Sequence, residues 1–286
     1  MQFFRKIIRT IKTDVLDIQD AAKMTEPEDG FAMDAEEAVT VSLISAPCGL
    51  TDSKVGGIPY MPSDFKYPLD DRPTEEQKPL AFLAQINFAQ MPPLKGFPAF
   101  GILQFFIGTD YLYGMDSENP ISQAGFRVIY HRDIMCEDKL LKELPVQVDY
   151  EAAFPVEKEL KMEFTPAVSV IGWQDFRYES NLLAAYQKEY PMTTSFEEIP
   201  VEIRDKMEEL CNASGSRIGG YPLFTQSDPR SEENGYADYS VLLLQLDSDT
   251  DKEISWGDDG VCNFFITPDQ LKNLNFSQVF YHWDCY

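Results

Sequence analysis

Basic residues are scarce in this chain. Against 48 Asp and Glu it carries 24 Lys and Arg, a formal net charge of −24 over 286 residues, and its isoelectric point is near 4.3. So acidic a surface repels phosphate backbones, which argues against nucleic-acid binding and favours a protein partner, a basic one first. Histidine is scarcer still: His131 and His282 are the only two. The five cysteines, Cys48, Cys136, Cys211, Cys262 and Cys285, are odd in number and widely spaced, without a Cys-x-x-Cys pair. That excludes a disulfide framework or a zinc site of the usual spacing and points to a reducing compartment. No stretch approaches the roughly 18 apolar residues of a membrane span. The N-terminus lacks the apolar core and small-residue cleavage site of a secretory signal, so the expected location is cytoplasmic. Neither a Gly-x-Ser-x-Gly elbow nor a zinc-protease motif is present, and no cysteine stands in a nucleophile context. No cofactor is predicted.

What the chain does have is apolar content of 44%, with 13% aromatic residues, enough for a sizeable folded core. It also repeats itself. Ser53-Lys54-Val55-Gly56-Gly57-Ile58-Pro59-Tyr60 returns as Ser216-Arg217-Ile218-Gly219-Gly220-Tyr221-Pro222-Leu223. The blocks beginning at Phe82, Gly101 and Val128 return, in the same order, at Leu242, Gly260 and Val279. One such block arises easily by chance; four in register do not. Each unit reads as a Gly-Gly-x-Pro turn followed by three strands, because the blocks are short, rich in β-branched and aromatic residues, and bounded by Gly, Pro, Asp or Asn. The predicted fold is α+β and sheet-dominated, an internal duplication about a pseudo-twofold with peripheral helices. Helices are predicted over 178–190, ended by Pro191, over 199–212, opened by Pro200, and from Thr267-Pro268, a cap followed by proline at the first helical position. Residues 62–79, with many prolines and charges, read as a long exposed loop, and 108–125 as a second connection.

Residues 1–24 differ in character. Phe3, Phe4, Ile7, Ile8, Ile11, Val15 and Leu16 recur at helical spacing, and Arg5, Lys6, Arg9 and Lys12 are the charges before Asp14. This predicts a basic amphipathic helix, which either docks on the acidic body or touches a membrane surface. The organisation expected is therefore this helix, then one duplicated domain over 40–286. Its first repeat covers about 40–135, a helical connection about 136–212, and the second repeat about 213–286.

The strings Ser53–Pro59, Pro79–Asn87, Gly101–Phe106 and Trp256-Gly257-Asp258-Asp259-Gly260 resemble the YwqG-like family of bacterial proteins, a domain of unknown function. The resemblance covers roughly residues 40–286. It implies an α+β, sheet-dominated duplicated fold, no assigned activity or cofactor, and, from the company such families keep near secreted-toxin genes, an immunity-like binding role.

Three constellations are candidate sites. Both histidines stand in a repeated Tyr-His-x-Asp, so a pseudo-twofold that brought His131, Asp133, His282 and Asp284 together would make a metal or acid–base cluster; the alternative is a histidine that merely bonds a neighbouring carboxylate. Lys54 and Arg217 each precede a Gly-Gly turn whose amides could gather around an anion, although neither turn matches a phosphate-binding fingerprint and a tight bend explains it as well. Asp247, Asp249, Asp251 and Asp258 follow the spacing of a calcium loop, with Lys252 where the bend needs glycine and Asp258 in place of the usual Glu. That loop is expected to join two strands with its carboxylates solvated and to bind calcium weakly at most. The function expected is a non-catalytic protein-binding module; the alternative is a metal-assisted hydrolase, or another enzyme, using the His/Asp pairs or the acidic loop.

Overall fold

The computed structural model describes residues 33–73, 77–150, 154–211 and 213–286. The amphipathic segment predicted over 1–24 lies outside them. Ten strands form one sheet: β1 Ala35–Ile44, β2 Lys54–Val55, β3 Ala81–Asn87, β4 Ile102–Ile107, β5 Phe126–His131, β6 Leu160–Val170, β7 Arg217–Gly219, β8 Val241–Asp247, β9 Val261–Ile266 and β10 Phe280–Asp284. Their order is β10-β9-β8-β7-β1-β6-β2-β3-β4-β5, with antiparallel pairing throughout. The sheet is curled into a half-barrel. Among the described residues three α-helices stand beside it: α1 Tyr178–Gln187, α2 Val201–Leu210 and α3 Pro268–Lys272.

The sheet has a central ribbon and two wings. β1 and β6 pair over ten positions from Ala35↔Val170 to Ile44↔Lys161. β2 to β5 extend in chain order from β6, and β7 to β10 extend from β1. The stretch 136–212, expected as a helical connection, thus carries the longest strand, β6, as well as α1 and α2. Pro166 hides β6 in the sequence; it is tolerated because beyond Lys161 the strand has β1 as its single partner.

The wings agree in detail. Lys54 pairs with Gln85 and Arg217 with Gln245. The β3–β4 register shifts between Phe82 and Ala84, and the β8–β9 register between Leu242 and Leu244. Gln85 accepts from Tyr60 N (2.8 Å) and donates to the Leu50 and Asp52 carbonyls. Gln245 accepts from Leu223 N (2.7 Å) and donates to the Ala213 and Gly215 carbonyls. These two buried amides pin the Gly-Gly-x-Pro turns to the sheet, which satisfies turn backbone that would otherwise be buried without partners.

Alternation along the strands divides the apolar side chains. Leu103, Phe105 and Ile107 of β4 and Cys262, Phe264 and Ile266 of β9 face inward into one shared core. There the wings touch, with ring centroids 4.7 Å apart for Phe105–Phe264 and 5.0 Å for Phe126–Tyr281. The outer faces have covers of their own. Residues 62–79, expected to be an exposed loop, instead lay Phe65 and Tyr67 on Phe106, with Pro62, Pro68 and Asp70 buried. An Asp-x-Arg pair of one local geometry recurs three times in these covers: Arg72, Arg177 and Arg230 each donate from their backbone N and Nε to the Asp two residues earlier. Arg230 is fully buried, bound to Asp175 and Asp228, with its guanidinium 4.0 Å above the Phe265 ring. Such a bidentate, stacked site suits arginine and not lysine.

Candidate functional site

The repeated turns explain how a groove forms. Gly219 and Gly220 have φ of +68° and +69°, and Gly56 and Gly57 of +63° and +74°. This backbone is ordinary for glycine and strained for other residues. It swings the chain out of the sheet, so β7 is three residues long between β1 of ten and β8 of seven. β1 loses its β7 partner beyond Ala38↔Gly219, while its pairing with β6 continues to Ala35.

The loop from the opposite wing crosses to this place. Met91-Pro92-Pro93-Leu94-Lys95-Gly96-Phe97-Pro98-Ala99-Phe100 connects β3 and β4. Its Leu94 lies so close to Gly219 that a Cβ there would stand 2.8 Å from Leu94 Cδ2. Between the loop, the start of β1 and the start of β8 lies a cavity of about 470 Å³, lined by Glu36, Glu37, Lys95, Gly219, Gly220 and Ser240 among others. A second cavity of about 640 Å³ continues from it, sharing Lys95, Phe97 and Val241, and is walled by Pro98, Phe100, Leu271 and Leu274 with Lys272 at the rim. The groove is therefore polar at the β1 end and apolar toward α3. Phe100 is half exposed in it. Burial raises the Glu36 carboxyl above its ordinary range, against the pull of the Arg177 guanidinium.

The expected site residues take other places. His131 lies on the outer face of its wing, against the rings of Tyr60 and Phe65, and His282 lies on the outer face of the other wing, against Phe224. The inner faces of the two wings meet between them, so the two histidines are held apart. Burial pushes the His131 imidazole down to about 4, and its Nε2 stands 2.8 Å from Gln104 Oε1. Because Gln104 Nε2 already donates to the Tyr60 carbonyl and to Gln85 Oε1, the contact assigns the proton to His131 Nε2. Asp133 is exposed. Asp284 is buried and accepts from Thr225 N and Gln226 N at 3.0 and 2.9 Å. Burial alone would raise its carboxyl, but His282 and those two amides outweigh it and hold the group below the usual carboxylate range.

Lys54 and Arg217 are structural in their contacts. Lys54 is almost fully buried, with its Nζ 2.9 Å from Glu159 Oε1. Arg217 donates to Ser169 Oγ (2.9 Å) and to the Ser214 carbonyl, and burial pulls its guanidinium below the usual range. Both cations fill space beside their turns instead of facing an open anion site. In the acidic loop, Asp247 is half-buried and accepts from Gly215 N at 2.6 Å, so the expectation of solvated carboxylates fails at this residue. Asp249 caps a short turn by accepting from Lys252 N, while Asp251 and Asp258 are exposed. Among the described residues no three His, Cys, Asp or Glu side chains gather as metal ligands would. No helix of the described residues is long and apolar enough to cross a membrane.

The groove was missed by motif reasoning because it has no motif. Its one signal in the sequence is the segment 91–100, an apolar, proline-rich run without a single acid in a chain where acids outnumber bases two to one. Residues 53–285 match the model of a family described as a domain of unknown function, DUF1963. No curated protein matches the chain.

Proposed function

We propose, for a chain that belongs to the DUF1963 family, that it is a non-catalytic protein-binding module whose site is the groove between the 91–100 loop and the second wing. The observation that carries the reading is the groove itself: two contiguous cavities of about 470 and 640 Å³, the first lined by Glu36, Glu37, Lys95 and Ser240 and the second walled by apolar side chains. Each is of the size of a typical ligand site, but together they form an elongated track that suits a chain segment of a protein partner. The net charge of −24 steers a basic protein toward the surface, and Glu36 and Glu37 give its basic residue a place at the polar end.

The finer readings of the fold belong with this proposal. The matching turns, registers and glutamine contacts of the two wings support one ancestral unit in two copies, and residues 40–286 as one duplicated domain. The strings around Gly56, Gln85, Gln104 and Trp256 support kinship with YwqG-like proteins, and with it an immunity-like role that holds another bacterial protein. Affinity capture from lysate with the wild type and with Ala99→Trp, which fills the groove from an exposed wall position, tests the site. The expected result is a partner retained by the wild type, lost from the variant, and confirmed by titration of the purified partner. Equal retention by both proteins overturns the groove as the site.

A further inference from the structure

We infer that the polar end of the groove takes the partner's segment as an added β-strand, a conclusion that rests on the binding reading above. The slot has the shape of a missing strand. β7 stops at Gly219, yet β1 continues to Ala35 on one side and β8 to Val241 on the other. Ala35–Glu37 keep β6 as a neighbour and have no described strand opposite it; Val241 and Leu242 keep β9 and likewise have none. Strands flanking one absent strand stand about 9.5 Å apart, twice the normal spacing, and present main-chain donors and acceptors to the gap.

In the other wing the equivalent segment has a backbone partner. A Cβ on Gly219 would meet the Glu37 carbonyl at 3.1 Å, and one on Gly56 would meet the Lys158 carbonyl at 2.9 Å, so 155–158 occupy the position that 34–37 hold here. There the chain's own backbone pairs with the segment: Val156 bridges Ile254, Glu157 N donates to the Glu253 carbonyl (3.3 Å), and Ser255 N donates to the Pro155 carbonyl (2.9 Å). The corresponding loop of the first wing passes Gly219 with Leu94 but makes no such ladder with 35–37 among the described residues. Since β1 and β8 are both antiparallel to β7, a strand antiparallel to both runs in the direction of β7. Its side chains on one face meet Leu94 and Phe97, and a basic residue falls beside Glu37. Main-chain bonds then supply affinity and the apolar track toward α3 supplies specificity, the division of labour of strand addition.

The test pans a phage-displayed library of random 12-residue peptides on the full chain and re-measures synthetic winners with single backbone N-methylations. Alternate N–H groups of a strand between β1 and β8 point to opposite neighbours. Strand addition therefore predicts that N-methylation weakens binding by at least about tenfold at successive positions of the inserted stretch and leaves the positions outside it unaffected. It also predicts that Glu37→Lys lowers the affinity of winners carrying a basic residue. Winners blocked by Ala99→Trp but insensitive to N-methylation overturn strand addition and leave groove binding intact. An empty panning, or winners indifferent to Ala99→Trp, overturns both. Displacement of the winners by a peptide of residues 1–32 makes this chain's own segment the occupant, and a dimer that the winners dissociate makes it a second copy; either result overturns the partner.

Discussion

At Asn263 one methylene separates the two wings. In the first wing Gln104 donates to the Tyr60 carbonyl and accepts from His131. In the second, Asn263 makes the equivalent donation to the Leu223 carbonyl at 2.7 Å, but its Oδ1 and His282 Nε2 are both buried without a hydrogen-bond partner. His282 Nε2 stands 3.9 Å from Asp284 Oδ2, too far for a hydrogen bond. Asn263 and His282 are cross-strand partners, and with the shorter amide both polar atoms stay unmet. Asn263→Gln should close it and stabilise the protein by about 1 kcal/mol, the net value of a hydrogen bond made between two buried groups; thermal unfolding checks this, and a lowered midpoint means that the added methylene does not fit. His131 yields a pH dependence whose sign is fixed. Its folded pKa of about 4 lies below the ordinary imidazole value of 6.5, so as pH falls through 6.5 the unfolded chain takes up a proton that the native state refuses. Stability contributed by neutral His131 is full above that pH, declines between about 6.5 and 4, and declines no further below. Urea unfolding at pH 7 and pH 5 should show a smaller loss in His131→Asn than in the wild type.

The element that organises this molecule is the Gly-Gly turn. At least one glycine of each Gly-Gly pair is expected at positive φ; all four have it, but their surroundings differ. A Cβ on Gly57 would meet Glu159 Oε1 at 2.2 Å, on a side chain that can yield only by giving up its ion pair with the buried Lys54. A Cβ on Gly220 would meet Ser169 Cβ at 2.4 Å and Ala38 Cβ at 2.9 Å, atoms fixed to the backbone of the central ribbon. Both Gly57→Ala and Gly220→Ala should therefore cost more than the roughly 1 kcal/mol of the backbone strain alone, and Gly220→Ala the more of the two because its neighbours are fixed to the backbone. Urea unfolding of the two variants measures the difference, and equal losses would show that the ribbon yields. These turns also make β2 and β7 strands of two and three residues, too short for any period-two pattern to reveal.

Over the whole molecule the two wings share one core. Phe264 packs on Phe105 across the wings and on Tyr281 within its own, and the Tyr281 hydroxyl donates to the Tyr113 carbonyl of the other wing (3.2 Å). Neither wing can keep its inner face covered without the other, so the sheet should unfold in one transition. Of the three tryptophans, Trp256 and Trp283 belong to the second wing and Trp173 is exposed beyond β6. In a Trp173→Phe variant, tryptophan fluorescence therefore follows that wing while far-UV circular dichroism follows the whole sheet. Coincident urea midpoints are expected, and separated ones would make the wings independent units.

What the sequence determined by itself is local. The positive-φ turns, the strands β3, β4, β8 and β9, and the Thr267-Pro268 helix start, whose capping box with Gln270 is formed, depend on residues a few positions apart. Turn chemistry and alternating side chains record such contacts directly. Tertiary structure alone decided what is distant. β1 and β6 pair across more than 100 residues, β6 carries a proline, and the order of strands places 35–37 opposite 241–242 with a proline-rich loop of the other wing against the gap that separates them. It also set the repeated histidines on the two outer faces and not at a common centre, because strand alternation turned them away from the core that the wings share. A groove is the space left between elements that the sequence specifies separately, and no residue encodes it until they pack.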